Sequence, residues 1–275
     1  MNVKRVWAVF FSPTGTTRKV VTRIADVIAD ELATGCGTID FTLPGARKAV
    51  QRFSADDLVI LGTPVYAGRV PNILLKFLGS IEGHGAAAVP VVLFGNRAYD
   101  DALIELRDIL EEDGFHTIAA AAFVGEHAFS YTLARGRADE KDLAIADDFA
   151  RAAASKLTTI SDIHRLDPVA VKGVPHPYRG YYQPRDREGN AIDLRKVKPL
   201  TGAACNDCKI CADSCPMGSI SRDNVREYTG ICIKCGACIK KCPQQARYYD
   251  DPEYLFHKRE LEESLTRRAD PELFL

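Results

Sequence analysis

At 275 residues the chain is long enough for two domains, one of ordinary size and one small. Apolar residues make up 46% and charged residues 27% of the sequence, which is typical of globular proteins, and the formal net charge of −1 provides no basic footprint for nucleic acid. The first residues lack the apolar region and cleavage site of a signal peptide. No stretch approaches the roughly 18 apolar residues of a membrane span.

Residues 1–166 alternate apolar runs with helical patterns, which predicts βαβ units and a parallel sheet. The run at 6–11 is apolar throughout, as expected of a central strand buried on both faces. Further strands are predicted at 38–41, 58–61, 89–94 and 118–124, and helices at 18–33, 101–113 and 139–156. Five strands with intervening helices indicate a doubly wound α/β fold.

The loop at residues 12–17, with the sequence SPTGTT, joins the first strand to the first helix. Hydroxyl groups and free backbone N–H groups at a helix N-terminus can bind a phosphate dianion without a lysine. Gly15 would let the backbone approach the phosphate closely. Neither the P-loop pattern nor the G-x-G-x-x-G dinucleotide pattern occurs at this loop. An ordinary helix cap of Ser and Thr is the alternative.

Two Gly-rich loops follow the third and fourth predicted strands, at the same sheet edge as the phosphate loop. Residues 62–71 contain Tyr66, and residues 95–100 contain Tyr99. A planar ring can stack on such tyrosines while backbone amides bond its polar edge. A tyrosine in a loop is more often a half-buried packing residue, but two at matching positions favour a ring-binding site.

Residues 125–131 follow the fifth predicted strand at the same edge and contain Glu126 and His127. A proton donor beside a redox cofactor needs a group that titrates near neutrality, and histidine fits that requirement. We favour the alternative, in which both residues are structural: Glu126 caps the loop and His127 fills a gap in the packing.

Residues 167–199 interrupt the βα pattern with five prolines and three tyrosines. Such a segment is stiffer than a Gly/Ser-rich tether and is able to pack, so we predict a strap that fixes the parts on either side of it. A solvated linker is the alternative. The tail, residues 251–275, is predicted to form a charged surface helix whose end at 273–275 docks.

Residues 200–250 contain eight of the nine cysteines, in two runs of C-x2-C-x2-C-x3-C-P offset by 27 residues. Three thiolates in a tight loop can hold three corners of a cubane cluster, and the fourth cysteine of each run ligates the other cluster. The spacing therefore predicts two [4Fe–4S] clusters. Their ligands are Cys205, Cys208, Cys211 and Cys242 for one cluster and Cys232, Cys235, Cys238 and Cys215 for the other.

A disulfide framework and a pair of zinc sites are the alternatives for these cysteines. Disulfides need an oxidising compartment, which nothing in the sequence indicates, and zinc sites usually use two C-x2-C pairs at longer separations. Reduced, metal-binding cysteines without an export signal point to a cytoplasmic location in an anaerobic or well-protected cell.

The phosphate loop and the tyrosine loops resemble those of the flavodoxin family, and the whole chain resembles bacterial and archaeal flavodoxin–ferredoxin fusion proteins, a group of iron–sulfur flavoproteins. The resemblance implies a flavodoxin-like, doubly wound five-stranded parallel sheet that binds FMN (1–166), followed by a small α+β ferredoxin domain of the bacterial 2[4Fe–4S] type (200–250). By position, the FMN phosphate would be bound by Ser12, Thr14, Gly15, Thr16 and Thr17. The isoalloxazine would lie between Thr63, Pro64, Tyr66, Ala67 and Gly68 on one side and Asn96, Arg97, Tyr99 and Asp100 on the other.

The chain departs from typical small flavodoxins in two respects. Tyr66 stands where they carry Trp, and they carry a run of acidic residues whereas Arg69 and Arg97 here are basic. The flavin potential and the partner therefore need not be flavodoxin-like.

Two one-electron clusters and one two-electron flavin predict a protein that converts between one-electron and two-electron transfer. We expect an external low-potential donor such as ferredoxin, and no second nucleotide site is found for direct NAD(P)H oxidation. In one hypothesis the flavin reduces a small substrate, with Arg69, Arg97 and His127 around the pocket. In another the protein is a non-catalytic electron carrier or relay between redox proteins. A redox sensor is a third hypothesis, for which no output element is found, and a homodimer is compatible with the sequence.

Overall fold

The computed structural model describes residues 3–275, in which the main sheet has seven strands and a second sheet has two. The strands are β1 (Arg5–Phe10), β2 (Gly35–Asp40), β3 (Asp57–Pro64), β4 (Ala87–Phe94), β5 (His116–Thr117), β6 (Ala120–Val124), β7 (Leu200–Thr201), β8 (Arg247–Tyr248) and β9 (Glu272–Phe274). The α-helices are α1 (Thr16–Glu31), α2 (Leu75–Leu78), α3 (Ala102–Glu112), α4 (Glu140–Thr159), α5 (Ile210–Asp213), α6 (Ala237–Lys240) and α7 (Pro252–Ser264).

The parallel part of the main sheet has the order β2-β1-β3-β4-β6, with β5 beside β4. This is the flavodoxin-like order of a doubly wound sheet, so the predicted fold class is confirmed. Successive residues of β1 point to opposite faces. Ala8 packs with α1 and α4 in one hydrophobic core, and Val9 packs with α2 and α3 in the other. Burial on both faces is why the strand sequences are continuous apolar runs.

Two features of the sheet differ from the sequence prediction. The predicted fifth strand, 118–124, is shorter, because only β6 at Ala120–Val124 falls within it, and a separate two-residue strand, β5, precedes it at His116–Thr117. In addition, β9 pairs antiparallel with β6, opposing Ala120 to Phe274 and Ala122 to Glu272. The end of the tail therefore docks, as expected, and it does so by adding a strand beside β6, which covers an otherwise open sheet edge.

The segment 167–199 packs along α3 and continues onto the loop after β3. Asp101 is fully buried and accepts hydrogen bonds from the Arg179 side chain and backbone N–H, and Arg179 holds the pKa of Asp101 at about 2. The Tyr182 N–H donates to the Ala67 carbonyl at 2.8 Å. These contacts are those expected of a strap rather than of a solvated linker.

Residues 200–250 form a much smaller unit, with four-residue helices and a two-stranded antiparallel sheet of β7 and β8. Its apolar cluster centres on Cys211, Ile220, Val225 and Cys238. A core of this size is small for independent stability and is usually supplemented by a metal or by disulfides. None of the cysteines in residues 3–275 is disulfide-bonded.

The 27-residue repeat of the cysteine runs is also a repeat of the backbone. Left-handed φ angles occur at three equivalent pairs of positions, which are Asp207 and Lys234 (60° and 56°), Lys209 and Gly236 (64° and 75°), and Gly218 and Gln245 (59° and 48°). Helices α5 and α6 are likewise offset by 27 residues. The two runs therefore fold in the same way. No helix in residues 3–275 combines the length and the apolar character required to cross a membrane.

Candidate functional site

A cleft of about 350 Å³ lies at the carboxyl ends of the parallel strands, where ligands bind in sheets of this type. Its walls come from the loops after β1, β3, β4 and β6, from the strap, from α7 and from the second cysteine run. The lining residues include Thr14, Thr16, Thr17, Pro64, Tyr66, Ala67, Gly68, Arg97, His127, Tyr182, Gln183, Arg195, Lys234, Cys235 and His257.

One end of the cleft is the N-terminus of α1. Gly15 precedes the helix with a φ of 95°, and a Cβ placed there would have no atom within 4 Å. The Ser12 Oγ accepts the N–H of Arg18 at 2.9 Å, whereas Thr16 and Thr17 are at the helix start, where N–H groups have no intrahelical acceptor. An open, glycine-shaped helix start with threonine hydroxyls fits a phosphate group. Ser12 shapes this loop and does not itself line the cleft.

The loop after β3 forms the next wall. Tyr66 and Arg69 exchange backbone hydrogen bonds of 3.0 and 3.1 Å in a tight turn, and Gly68 has a φ of 79°. A side chain at Gly68 would collide with Asp100, so this wall tolerates only glycine. Thr63 is fully buried and its Oγ1 has no hydrogen-bond partner in residues 3–275. A flat, small-residue wall with one tyrosine fits one face of a planar ring.

Tyr99 and Asn96 do not line the cleft, and their expected place beside the ring is wrong. Tyr99 is 6% exposed, packs on Phe94 and donates to Glu272 at 2.8 Å. The Asn96 side chain donates to the carbonyls of Leu265 and Arg267. Both residues are used to hold the C-terminal tail, which no local pattern around them indicates.

Arg69, expected beside the pocket, does not line the cleft either. It donates twice to the buried Glu105 (2.7 and 2.6 Å) and lies over the ring of Tyr178. It therefore connects the strap, residues 167–199, to helix α3. Arg97 does line the cleft, pairs with Asp100 and lies 4.2 Å from the centre of the Tyr182 ring. Asp100 therefore affects the cleft indirectly, by its ion pair with Arg97 and by lying against Gly68, which both line it.

His127 lines the cleft, but it does not titrate near neutrality as expected of a proton donor. Burial lowers its pKa to about 4, and the positive charges of nearby Lys240 and Arg97 lower it further. Its imidazole is therefore neutral at pH 7. Neighbouring Glu126 accepts from Lys240 at 2.5 Å and from the N–H of Gly136 at 2.9 Å, so it bridges segments distant in sequence.

The strap and the second cysteine run also line the cleft, which the loop motifs did not indicate. Tyr182 is one of the strap tyrosines noted in the sequence, and stacks on Arg97. Lys234 and Cys235 reach the cleft from the far end of the chain. Burial raises the pKa of Tyr66, and the charges of Cys235 and Cys232 raise it further.

The eight cysteines of the two runs surround two separate small cavities. Cys205, Cys208, Cys211 and Cys242 line one, which we call the outer cavity. Cys215, Cys232, Cys235 and Cys238 line the other, which we call the inner cavity. Each group takes three cysteines from one run and the fourth from the other, as the motif predicts.

Backbone N–H groups point at the thiols in both runs. Ser219 N–H donates to Cys215 Sγ at 3.4 Å, and Ala246 N–H donates to Cys242 Sγ at 3.3 Å. Successive left-handed and right-handed residues aim N–H groups into a common concavity, which suits an anionic iron–sulfur group. The donor set of four thiols with backbone N–H groups fits a [4Fe–4S] cluster in each cavity.

The inner cavity lies against the flavodoxin-like part of the molecule. A Cβ at Gly236 would lie 2.7 Å from the Ala128 carbonyl oxygen, whereas the equivalent residue of the other run is Lys209. Because Lys209 tolerates the same left-handed φ, close approach rather than φ requires glycine at 236. Lys240 adds the ion pair to Glu126 across the same contact.

Family models match two parts of this chain, a flavodoxin domain at residues 8–95 and a 4Fe-4S dicluster domain at residues 204–247. Similar solved structures include a flavodoxin from the domain Archaea (14% identity, 56% of this chain, 99% of that chain, TM-score 0.40) and a Streptococcus pneumoniae TIGR4 flavodoxin (21%, 55%, 99%, 0.40). An apo NADH:FMN oxidoreductase is also similar (22% identity, 58% of this chain, 92% of that chain, TM-score 0.40). A comparison with curated proteins gave no match.

Proposed function

We propose that electrons pass from an external low-potential donor through two [4Fe–4S] clusters to FMN. The proposal builds on the flavodoxin domain and the 4Fe-4S dicluster domain of this chain, a combination that fits an FMN- and iron–sulfur-dependent electron-transfer protein. The reduced flavin then serves a small organic or inorganic substrate in the cleft. When bound, each cluster supplies one-electron transfer, and FMN accepts electrons one at a time and delivers one or two.

The observation that carries this proposal is the position of Cys235. It is a wall of the inner cavity and also a wall of the cleft that contains Thr14, Thr16 and Tyr66. A cluster held by Cys235 would therefore adjoin the flavin with no intervening element of the fold. The tight contact between Gly236 and Ala128 holds this geometry.

The cysteine at the equivalent position of the other run, Cys208, is exposed to solvent. In the described residues 3–275, the cleft and the outer cavity share no lining residue. We propose that the external donor approaches the Cys208 side, so that the outer cluster receives electrons and the inner cluster delivers them to the flavin.

Each residue group has a defined task in this proposal. Thr14, Thr16 and Thr17 would bind the FMN phosphate at the start of α1, and Tyr66, which lines the cleft together with Cys235, would contact the ring. Tyr182 and Arg97 close the cleft from the strap side and exclude water. His127, neutral at pH 7, packs and donates or accepts hydrogen bonds without carrying charge.

Anaerobic reconstitution followed by iron and flavin analysis tests the cofactor content. We expect about eight irons and one FMN per chain, because two cubane clusters hold four irons each. An iron content of about four would overturn the two-cluster assignment. Absence of FMN would overturn the proposed flavin site and leave a ferredoxin alone.

The phosphate site is tested by the double variant Thr14→Ala/Thr16→Ala, with Thr22→Ala as the matched control. Thr22 is on the same helix, and its hydroxyl bonds the Arg18 carbonyl at 2.7 Å. We expect the double variant to lose FMN and keep its iron, and the control to keep both. Retention of FMN by the double variant would refute the assignment.

A kinetic test distinguishes a protein that reduces a small substrate from the alternative, a relay between redox proteins. The loaded protein is reduced with dithionite and mixed with small oxidants of different shape while the flavin absorbance is followed. A substrate site predicts reoxidation that saturates with oxidant concentration and changes in Gln183→Ala, whose side chain lines the cleft. Linear, variant-independent kinetics with rapid reoxidation by a protein acceptor would support the relay.

A further inference from the structure

Arg247 is an arginine inside the ferredoxin-like unit, with only 3% of its surface exposed. Its Nη1 donates to the Val225 carbonyl at 2.7 Å and to Thr201 Oγ1 at 2.9 Å, and lies 3.9 Å from Cys211 Sγ. Its Nη2 donates to the Tyr228 hydroxyl. The guanidinium is thus held rigidly beside a thiol of the outer cavity.

The charge of Arg247 has no carboxylate partner within 4.0 Å in residues 3–275. Its Nε–H has no acceptor in that part of the chain. A buried, unpaired cation is strongly unfavourable unless an anion compensates it. Burial lowers the pKa of Arg247, and the charges of Cys238 from the inner cavity and of Cys211 from the outer cavity raise it. The hydrogen-bonding contact of the guanidinium is with the outer-cavity thiol, Cys211.

The repeat shows that the fold does not require an arginine at this place. The equivalent residue, 27 positions earlier, is Ile220, which is 6% exposed and lines the inner cavity. Arg247 lines the outer cavity. The two cavities therefore have the same backbone and the same number of cysteines, but an apolar wall in one case and a cationic wall in the other.

We propose that Arg247 is the buried counter-ion of the outer cluster and makes it easier to reduce than the inner one. The inference rests on the two clusters of the proposed function. When the donor loses one electron and the outer cluster gains it, the negative charge beside Arg247 rises by one, and a fixed cation stabilises the reduced state more than the oxidised state. Of the two clusters, the outer one would then be reduced first, and FMN would be reached through the inner one.

The test is an anaerobic redox titration of the loaded protein, followed by electron paramagnetic resonance. In the wild type we expect two reduction steps whose equilibrium constants differ at least tenfold, which is about 59 mV for one electron. Arg247→Met should lower the higher step towards the other, and Arg247→Lys should retain more of the difference. Arg226→Met is the matched control, because Arg226 is exposed and donates to the Thr201 carbonyl at 2.6 Å.

An Arg247→Met protein with full iron and unmoved steps would overturn the inference, as would a shift of the lower step alone. If that variant does not assemble, Cys208→Ser gives the answer, because it changes a ligand of the outer cluster only. We then expect the signal of the first cluster to be reduced to change, and a change in the second signal alone would overturn the inference. Low iron content in the wild type would instead overturn the proposed function.

Discussion

The two cysteine runs have one backbone and two environments. At equivalent positions, Cys208 is exposed and Cys235 lines the cleft, and Ile210 is 39% exposed whereas Ala237 is 1% exposed. Lys209 corresponds to Gly236, which abuts Ala128. The first run faces solvent and the second faces the flavodoxin-like domain. The spacing of cysteines thus sets the local fold, while the surroundings decide which run lines the cleft and which is exposed.

Replacing the equivalent cysteines should give the largest difference between the runs. In Cys235→Ala we expect FMN reduction by a reduced ferredoxin to be abolished, because the inner cluster links the donor to the flavin in the proposed path. In Cys208→Ala the inner cluster and FMN should still exchange electrons. Stopped-flow absorbance measures both, with iron analysis to confirm which cluster remains. Equal loss in both variants, with four irons retained, would contradict the assigned order.

The burial of His127 in the cleft can be measured through the pH dependence of protein stability. Its pKa of about 4 lies below the usual 6.5, so the folded state binds fewer protons than the unfolded state between these values. The free energy of unfolding should therefore fall as the pH drops from 6.5 towards 4, by about 3 kcal/mol for this group at the lower limit. His127→Gln should flatten thermal unfolding against pH between 7 and 5.

A matched control for that experiment is His164→Gln, since His164 lies away from the cleft, against His116. Comparison of the two variants separates the burial of His127 in the cleft from the general effect of removing one imidazole. A wild-type slope in His127→Gln would show that other groups dominate the acid response.

Enlarging Gly236 tests a tight contact between the two domains. Gly236→Ala would place a methyl group against the Ala128 carbonyl and should lower the free energy of unfolding by about 1–3 kcal/mol through overpacking. It should also slow flavin reduction through the clusters. Lys209→Ala keeps the equivalent left-handed position and removes the ion pair of Lys209 with Asp207, so it should cost less than about 1 kcal/mol. Equal effects in denaturant titrations would contradict the assigned contact between Gly236 and Ala128.

The smallest difference is expected between Lys240 and its repeat equivalent, Asp213. The side chain of Lys240 is 12% exposed and bonds Glu126 and the Ser130 carbonyl, whereas the Asp213–Arg222 pair is solvent-exposed. Lys240→Ala should lower the free energy of unfolding by about 1.5–3 kcal/mol, and Asp213→Ala by less than about 1 kcal/mol. Thermal unfolding with both cofactors bound provides the comparison, and a reversed order would contradict the assigned interface.

Local chemistry allowed a large part of the molecule to be predicted. The apolar runs indicated the strands of the parallel sheet, and the grouping of cysteines around two cavities follows the predicted exchange of the fourth thiol. The residues at the start of α1 could be proposed as a phosphate site because helix geometry itself exposes N–H groups there, and Thr14, Thr16 and Thr17 do line the cleft. Tyr99, Asn96 and Arg69 could not be assigned, since their partners are residues more than 30 positions away.

The amino-acid sequence by itself determined the doubly wound sheet, the phosphate loop and the repeated cysteine fold, because periodicity and ligand spacing are encoded within short segments. The tertiary structure decided which cysteine run faces the cleft, why His127 stays neutral and where Arg247 is buried. These properties depend on desolvation and on contacts between segments that are distant along the chain. A cysteine spacing repeated in both runs carries no information about which of them the rest of the protein covers.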